Sequence, residues 1–236
     1  MDNLVFDKEQ FEADVWYYSG LEGIIKPDTW EQIVAHCVGG TVIPGDHFMA
    51  DVYNSDYCFN VKSIKEQTIS KTGNKTVEFV QCRTPIPNDR LLSDEEIGRQ
   101  VLQTLTNKLN ESLTYFESKK MIDVIILHNR YYDMYHASIY IVDHSDFNSY
   151  DLVWSNGEAR LKNEDKWLIK RRWSDDNHRQ TCTSIKKKYL NEQIISNVLI
   201  KSIDNHNISK EEIMIKYKGQ ELEGIENECD SIFYSC

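Results

Sequence analysis

An acid, an amide and a lysine lie close together within residues 44–65. The segments 47–53 and 57–64 are rich in β-branched and aromatic residues, and the polar residues 54–56 between them are typical of a tight turn. If this turn closes a hairpin, Asp51 lies opposite or nearly opposite Asn60. Side chains two apart on a strand share a face, so Asn60 and Lys62 point the same way.

These residue types are suited to phosphodiester hydrolysis, which uses a hard divalent cation to neutralise the phosphate and activate a water molecule. Asp51 and Asn60 offer oxygen ligands for Mg²⁺ or Mn²⁺, and Asp46 is a possible second acid at the mouth of the hairpin. Lys62 could hold the attacking water or balance charge that develops on the phosphate oxygens. The sequence does not place three further helix carboxylates relative to this group: Glu9, Glu12 and Glu31.

Three helices and several strands are predicted around the hairpin. The helices cover 6–17, 28–38 and 93–118, and their N-caps are Asp7, Asp28 and Ser93. In the third helix, apolar residues recur every three to four positions. Strands are predicted over 75–83, 121–127 and 135–142, and the nearly continuous apolar run 121–127 is typical of a buried central strand. We therefore predict one α/β domain over 1–236, with a mixed central sheet flanked by helices and a β-rich C-terminal half.

The order of helix 28–38, hairpin, strand, long helix and buried strand resembles the core of the PD-(D/E)xK nucleases, the restriction-endonuclease-like superfamily. Asp51 and the tripeptide 60–62 would carry the motif, over a core of about 28–127. The resemblance implies that Asp51 and Asn60 bind Mg²⁺ and that Lys62 assists the water. Asn60 stands where the family has Asp or Glu, and Pro44 precedes Asp46 rather than Asp51, so either acid could be the first ligand.

The resemblance further implies a type II restriction enzyme that cuts double-stranded DNA as a homodimer. The chain is acidic, with a formal net charge of −11, which argues against nucleic acid as a partner. However, residues 160–188 hold ten Lys or Arg against four Asp or Glu, and such a segment can steer a polyanion to one face. The predicted DNA-contacting residues are Lys170, Arg171, Arg172, Arg179, Lys186 and Lys187.

Other features narrow the class of protein. No apolar run approaches transmembrane length, there is no signal pattern at the N-terminus, and the six cysteines form no zinc spacing, so a cytoplasmic protein with reduced thiols is expected.

Residues 128–130 with His136 are similar to an HNH nuclease motif but lack its ββα context. The alternative to an enzyme is a non-catalytic protein of the same fold that binds nucleic acid or another protein.

Overall fold

Within the residues that it describes, the computed structural model has four helices and eleven strands. It describes residues 4–45, 48–65, 76–82, 93–131, 134–143, 152–155, 158–161, 167–174 and 178–201, and between 152 and 182 it describes the backbone alone. The helices are α1 (Lys8–Glu22), α2 (Pro27–Val38), α3 (Asp94–Tyr115) and α4 (Lys187–Asn191).

Two of the predicted helix starts are confirmed by their capping hydrogen bonds. The Asp7 carboxylate accepts from the backbone N–H of Gln10 at the start of α1. Ser93 and Glu96 form a reciprocal capping box at the start of α3, which satisfies backbone donors that have no partner within the helix. Helix α1 continues to Glu22, beyond the predicted end near residue 17.

The predicted N-cap of α2 is wrong. The helix begins at Pro27 with Lys26 as N-cap, and no side chain caps it. Proline is well suited to the first turn because its missing N–H would have no partner there. The Glu22 carboxylate instead ties the two helices together, since it accepts from the Lys26 N–H at 2.8 Å and from the Thr29 hydroxyl at 2.8 Å.

The first sheet is mixed and has six strands in the order β1-β2-β3-β5-β6-β11. Strand β3 runs parallel to β5, whereas the other neighbouring pairs are antiparallel. The predicted α/β class with a mixed central sheet is therefore confirmed. Its strands are β1 (Thr41–Val42), β2 (Val52–Tyr53), β3 (Tyr57–Lys65), β5 (Lys120–Tyr131), β6 (Met134–Asp143) and β11 (Ile194–Lys201).

The second sheet is antiparallel and has five strands in the order β4-β10-β9-β8-β7. Four of its five strands lie after residue 150, so the C-terminal half is rich in β-structure as predicted. The strands are β4 (Thr76–Cys82), β7 (Leu152–Ser155), β8 (Glu158–Leu161), β9 (Trp167–Ser174) and β10 (His178–Lys186).

Two apolar layers cover the two faces of the first sheet. Helices α1 and α2 pack on one face, where Trp30 and Ile33 meet Phe59, Val61 and neighbouring strand residues. The other face has two apolar clusters. Leu109 of α3 packs with Cys58 and Met121 in one, and Val77 and Phe79 of the second sheet meet Ile125 and Leu127 in the other. Alternation along β3 and β5 thus decides which side chains meet α3 and the second sheet.

None of the helices described is long and apolar enough to cross a membrane.

Candidate metal centre

A side-chain-stabilised turn fixes the register of the β2–β3 hairpin. Asn54 Oδ1 accepts from the backbone N–H groups of Asp56 and Tyr57 at 3.0 and 2.9 Å, and Asn54 Nδ2 donates to the Val38 carbonyl at 3.0 Å. This Asx-type turn stabilises the reversal of the chain and ties it to the end of α2. Its position at 54–56 agrees with the sequence prediction.

We expect Asn54→Ala to destabilise the hairpin, because it removes an acceptor from two backbone donors and a donor from a partly buried carbonyl. The free energy of unfolding should fall by about 1–3 kcal/mol, and Tm should fall by about 2–4 °C for each kcal/mol that is lost. Chemical and thermal denaturation measure the change. Ser55→Ala is the matched control, since Ser55 is exposed and should alter stability by less than about 0.5 kcal/mol. Equal stability of the two variants would contradict this role of the turn.

Asp51 is held by backbone pairing on both sides, immediately before β2. Its N–H donates to the Phe59 carbonyl and its carbonyl accepts from the Ile43 N–H, both at 2.8 Å. Val52 pairs with Phe59, and the Asp51 N–H bonds to the same Phe59 residue, so Asp51 lies nearly opposite Asn60, one of the two positions that the sequence allowed. Strand β2 itself is only two residues long, shorter than the predicted 47–53.

The segment before Asp51 is anchored to the C-terminal end of α3. The Met49 N–H donates to the buried Ser112 hydroxyl at 3.0 Å. The Phe48 ring lies 4.7 Å from that of Tyr115 and 5.0 Å from that of Phe116, measured between centroids. These contacts fix where Asp51 enters the sheet.

The Asp51 carboxylate meets Lys62 and the backbone of β3. Asp51 Oδ2 accepts from the Val61 N–H at 2.6 Å and lies 3.3 Å from Lys62 Nζ. The side chains of Asp51 and Lys62 remain 24% and 21% exposed, so both can be reached from solvent. Loss of hydration raises the pKa of Asp51 above its usual value; Lys62 and the Val61 hydrogen bond oppose this shift, and the negative charge of Asp123 adds to it.

Asn60 is fully buried and contacts a carboxylate on the adjacent parallel strand. Asn60 pairs with Asp123 in the register of β3 and β5, and Asn60 Nδ2 donates to Asp123 Oδ1 at 2.6 Å. Both residues have no solvent exposure. Asn60 Oδ1 has no hydrogen-bond partner in the part of the chain that the structure describes. An orphaned buried carbonyl oxygen is uncommon and suits a cation ligand.

These groups share the sheet face that α3 and the second sheet cover. Phe59 and Val61 point to the opposite face, under α1 and α2. Because residues alternate along β3, Asn60 and Lys62 share one face, as predicted, and that face points away from α1 and α2. The helix glutamates stand on the helices that cover the other face, so the structure does not place them beside Asn60 and Lys62: Glu9, Glu12 and Glu31.

Asp123 is the site residue that sequence reasoning missed. The apolar run 121–127 was interpreted as a buried strand, and the structure confirms that strand within β5. The signal was the run's single charged residue, flanked by Ile122 and Val124, which are both fully buried. A buried charge in such a strand needs a polar partner or a function.

The remaining predicted residues fall outside this group or outside the description. Asp46 lies outside the described residues. Lys186 ends β10 and Lys187 begins α4. The backbones of the other four predicted DNA-contacting residues lie in β9 and β10: Lys170, Arg171, Arg172 and Arg179. Their side chains are outside the described part of the structure, so contact with DNA stays a prediction.

The HNH-like histidine is a core residue. His128 is buried, its Nδ1 lies 2.8 Å from the Tyr135 hydroxyl, and its ring lies 5.3 Å from Trp30. His136 lies on β6, where its Nε2 is 3.1 Å from the hydroxyl of Ser138 on the same strand and 2.7 Å from Oδ1 of Asn197 on β11. None of these contacts connects His128 or His136 to Asp51 or Lys62.

The side chains at the hairpin offer oxygen donors, the ligand type that hard cations prefer. Among the described residues, no three His, Cys, Asp or Glu side chains cluster as metal ligands. Asp51, Asn60 and Asp123 together present two carboxylates and an amide. Mg²⁺ is commonly held by one or two carboxylates and completes its shell with water and substrate phosphate.

Comparison of the chain with protein-family models, curated proteins and solved structures gave no match.

Proposed function

We propose that this protein is a Mg²⁺-dependent endonuclease that hydrolyses phosphodiester bonds of double-stranded DNA. The observation that carries the proposal is the arrangement of Asp51, Asn60 and Lys62 at the β2–β3 hairpin. The Asp51 carboxylate and the Lys62 ammonium lie 3.3 Å apart and are partly exposed, and Asn60, on the same face of β3 as Lys62, supplies a buried amide oxygen with no partner among the described residues. Each element of a phosphodiesterase centre is therefore supplied by a separate side chain.

Two properties of the chain's own residues support a divalent cation at this place. Asn60 Oδ1 is a buried acceptor with no donor among the described residues, and the carboxylates of Asp51 and Asp123 repel each other. Asp51 and Asn60 would hold the cation, with Mn²⁺ as a substitute for Mg²⁺. When bound, such an ion neutralises phosphate charge and lowers the pKa of a water molecule.

Lys62 would position the attacking water or stabilise the charge that develops on the phosphate oxygens. Its ammonium is a compact point charge with three donors, one of which faces Asp51. The Asp51 contact restricts the long side chain and keeps its head at the partly exposed mouth of the centre. A donor positioned in advance stabilises a transition state without further reorganisation.

The order of elements supports a core similar to that of the PD-(D/E)xK nucleases. Helix α2, the β2–β3 hairpin, strand β4, helix α3 and strand β5 follow one another in the order of the resemblance, although β4 pairs within the second sheet. The basic residues of β9 and β10 would supply phosphate contacts, and we propose a homodimer as the working form because DNA duplexes present two strands.

Incubation of the purified protein with unmethylated plasmid and phage DNA tests the function. We expect discrete fragments with Mg²⁺ or Mn²⁺ and intact DNA with chelator, with cleavage weakening as salt screens phosphate contacts. Gel filtration of the same preparation reports the oligomeric state. DNA that stays intact across metals, salts and substrates would contradict the proposal and favour the non-catalytic binding protein.

A further inference from the structure

Asp123 is a buried acidic residue in an otherwise apolar stretch of β5. It lies in the middle of β5 between two fully buried aliphatic residues and has no exposure itself. Transfer of an ionised carboxylate into an apolar interior is costly unless it is paired or binds a metal. An apolar residue there would match the rest of the strand, so its presence points to a role at the centre.

The hydrogen bond between Asp123 and Asn60 determines which way the amide faces. An ionised carboxylate can only accept, so the group that Asn60 turns toward Asp123 must be its NH₂. The amide oxygen is consequently turned away from Asp123. This is the buried oxygen that has no hydrogen-bond partner among the described residues.

The Asp51 carboxylate reaches the part of β3 next to Asn60. Asp51 Oδ2 accepts from the Val61 N–H at 2.6 Å and lies 3.3 Å from Lys62 Nζ, so it contacts both residues that follow Asn60 on β3. A divalent cation near Asp51 and Asp123 would offset the like charge of the two carboxylates.

We propose that Asp123 is an acidic residue of the metal centre that stands on β5 instead of at position 60. It holds the Asn60 amide with its oxygen toward the cation, and it adds the second negative charge of the centre. The parallel register of β3 and β5 allows the acid to stand on the neighbouring strand, since Asn60 and Asp123 are direct partners. A carboxylate on one strand and an amide on the next together replace an acid at position 60. Asp123 is thus a positioning residue that acts through Asn60. This inference rests on the metal centre proposed above.

Calorimetric titration of Mn²⁺ into the purified protein tests the inference without any nucleic acid. Asp123→Asn keeps an oxygen that can accept from Asn60 but removes the charge. We expect it to weaken Mn²⁺ binding by about 10–100-fold, the usual effect of losing an orienting partner of a ligand. If the side chain were merely structural, its substitution would change Tm and leave the affinity for Mn²⁺ unchanged.

A charge swap gives the decisive control. The double variant Asn60→Asp with Asp123→Asn exchanges the two side chains, so a carboxylate and an amide still face each other at nearly constant volume. We expect it to restore Mn²⁺ affinity to within about tenfold of the wild-type value, because the total charge is recovered. Wild-type affinity in Asp123→Asn, or a swap no better than that single variant, would overturn the inference.

The readouts separate this inference from the proposed function. A protein that binds Mn²⁺ in an Asp123-dependent way but leaves DNA intact would support the inference and contradict the nuclease. Cleavage of DNA with unchanged Mn²⁺ affinity in Asp123→Asn would do the reverse. A wild-type protein that binds no Mn²⁺ would overturn both.

Discussion

Lys62→Ala should lower the rate of DNA cleavage by about 10²–10⁴-fold, the range expected when a positioned proton-transfer or charge-stabilising group is removed. The loss should fall on the rate at saturating DNA, because Lys62 lies beside Asp51 rather than among the basic residues of 160–188. Lys62→Met retains the apolar stem without the ammonium and should lose as much activity. Single-turnover cleavage measures both variants.

Lys65→Ala is the matched control for Lys62. Lys65 ends the same strand, is exposed, and lies three residues away, so its side chain points to the opposite face. Its cleavage rate should stay close to that of the wild type. Mn²⁺ affinity should not fall in Lys62→Ala, since Lys62 is not a ligand and its removal takes a positive charge away from Asp51. Full cleavage by Lys62→Ala would mean that the chemistry occurs elsewhere in the chain.

Asp51→Asn should abolish metal binding and at the same time stabilise the metal-free protein. The folded state raises the pKa of Asp51 above the ordinary 3.8, so ionisation of this carboxyl opposes folding. Below 3.8 the carboxyl is protonated in both states and no penalty exists. The penalty grows as the pH rises from 3.8 to the folded-state pKa and is constant above it. Asparagine imitates the neutral form at every pH.

Thermal unfolding between pH 4 and 8 with chelator, and again with Mn²⁺, checks this prediction. Without metal, the Tm of Asp51→Asn should exceed that of the wild type, and the difference should increase with pH. Each kcal/mol gained in the free energy of unfolding should raise Tm by about 2–4 °C. Added Mn²⁺ should raise the Tm of the wild type alone, since binding to the native state stabilises it. A variant that is less stable at neutral pH, or still responds to Mn²⁺, would contradict the assignment of Asp51.

Local signals in the sequence were sufficient to predict the framework of the site. The Ser93 capping box, the apolar run of β5 and the polar turn at Asn54 each depend on neighbours along the chain. The turn also set the pairing that brings Asp51 nearly opposite Asn60. These features are specified within a few residues, which is why pattern and propensity were enough.

Non-local pairings were beyond such reasoning. Residues 76–82 join the second sheet by pairing with β10, about one hundred positions later, and no local pattern encodes that partner. The N-cap of α2 was misplaced by two residues, at Asp28 rather than Lys26, because Asp28 fits a cap as well as Pro27 fits a first turn. Asp123 was missed because its relation to Asn60 exists only once β3 and β5 lie side by side.

The most direct measurement of the central claim is the anomalous scattering of Mn²⁺ in crystals of the protein soaked with that ion. The account predicts one strong peak about 2.0–2.4 Å from a carboxylate oxygen of Asp51 and from Oδ1 of Asn60. The peak should disappear in Asp51→Asn crystals. Density for Asn60 and Asp51 with no peak between them at saturating Mn²⁺, or a peak confined to other residues, would contradict a metal centre at this hairpin.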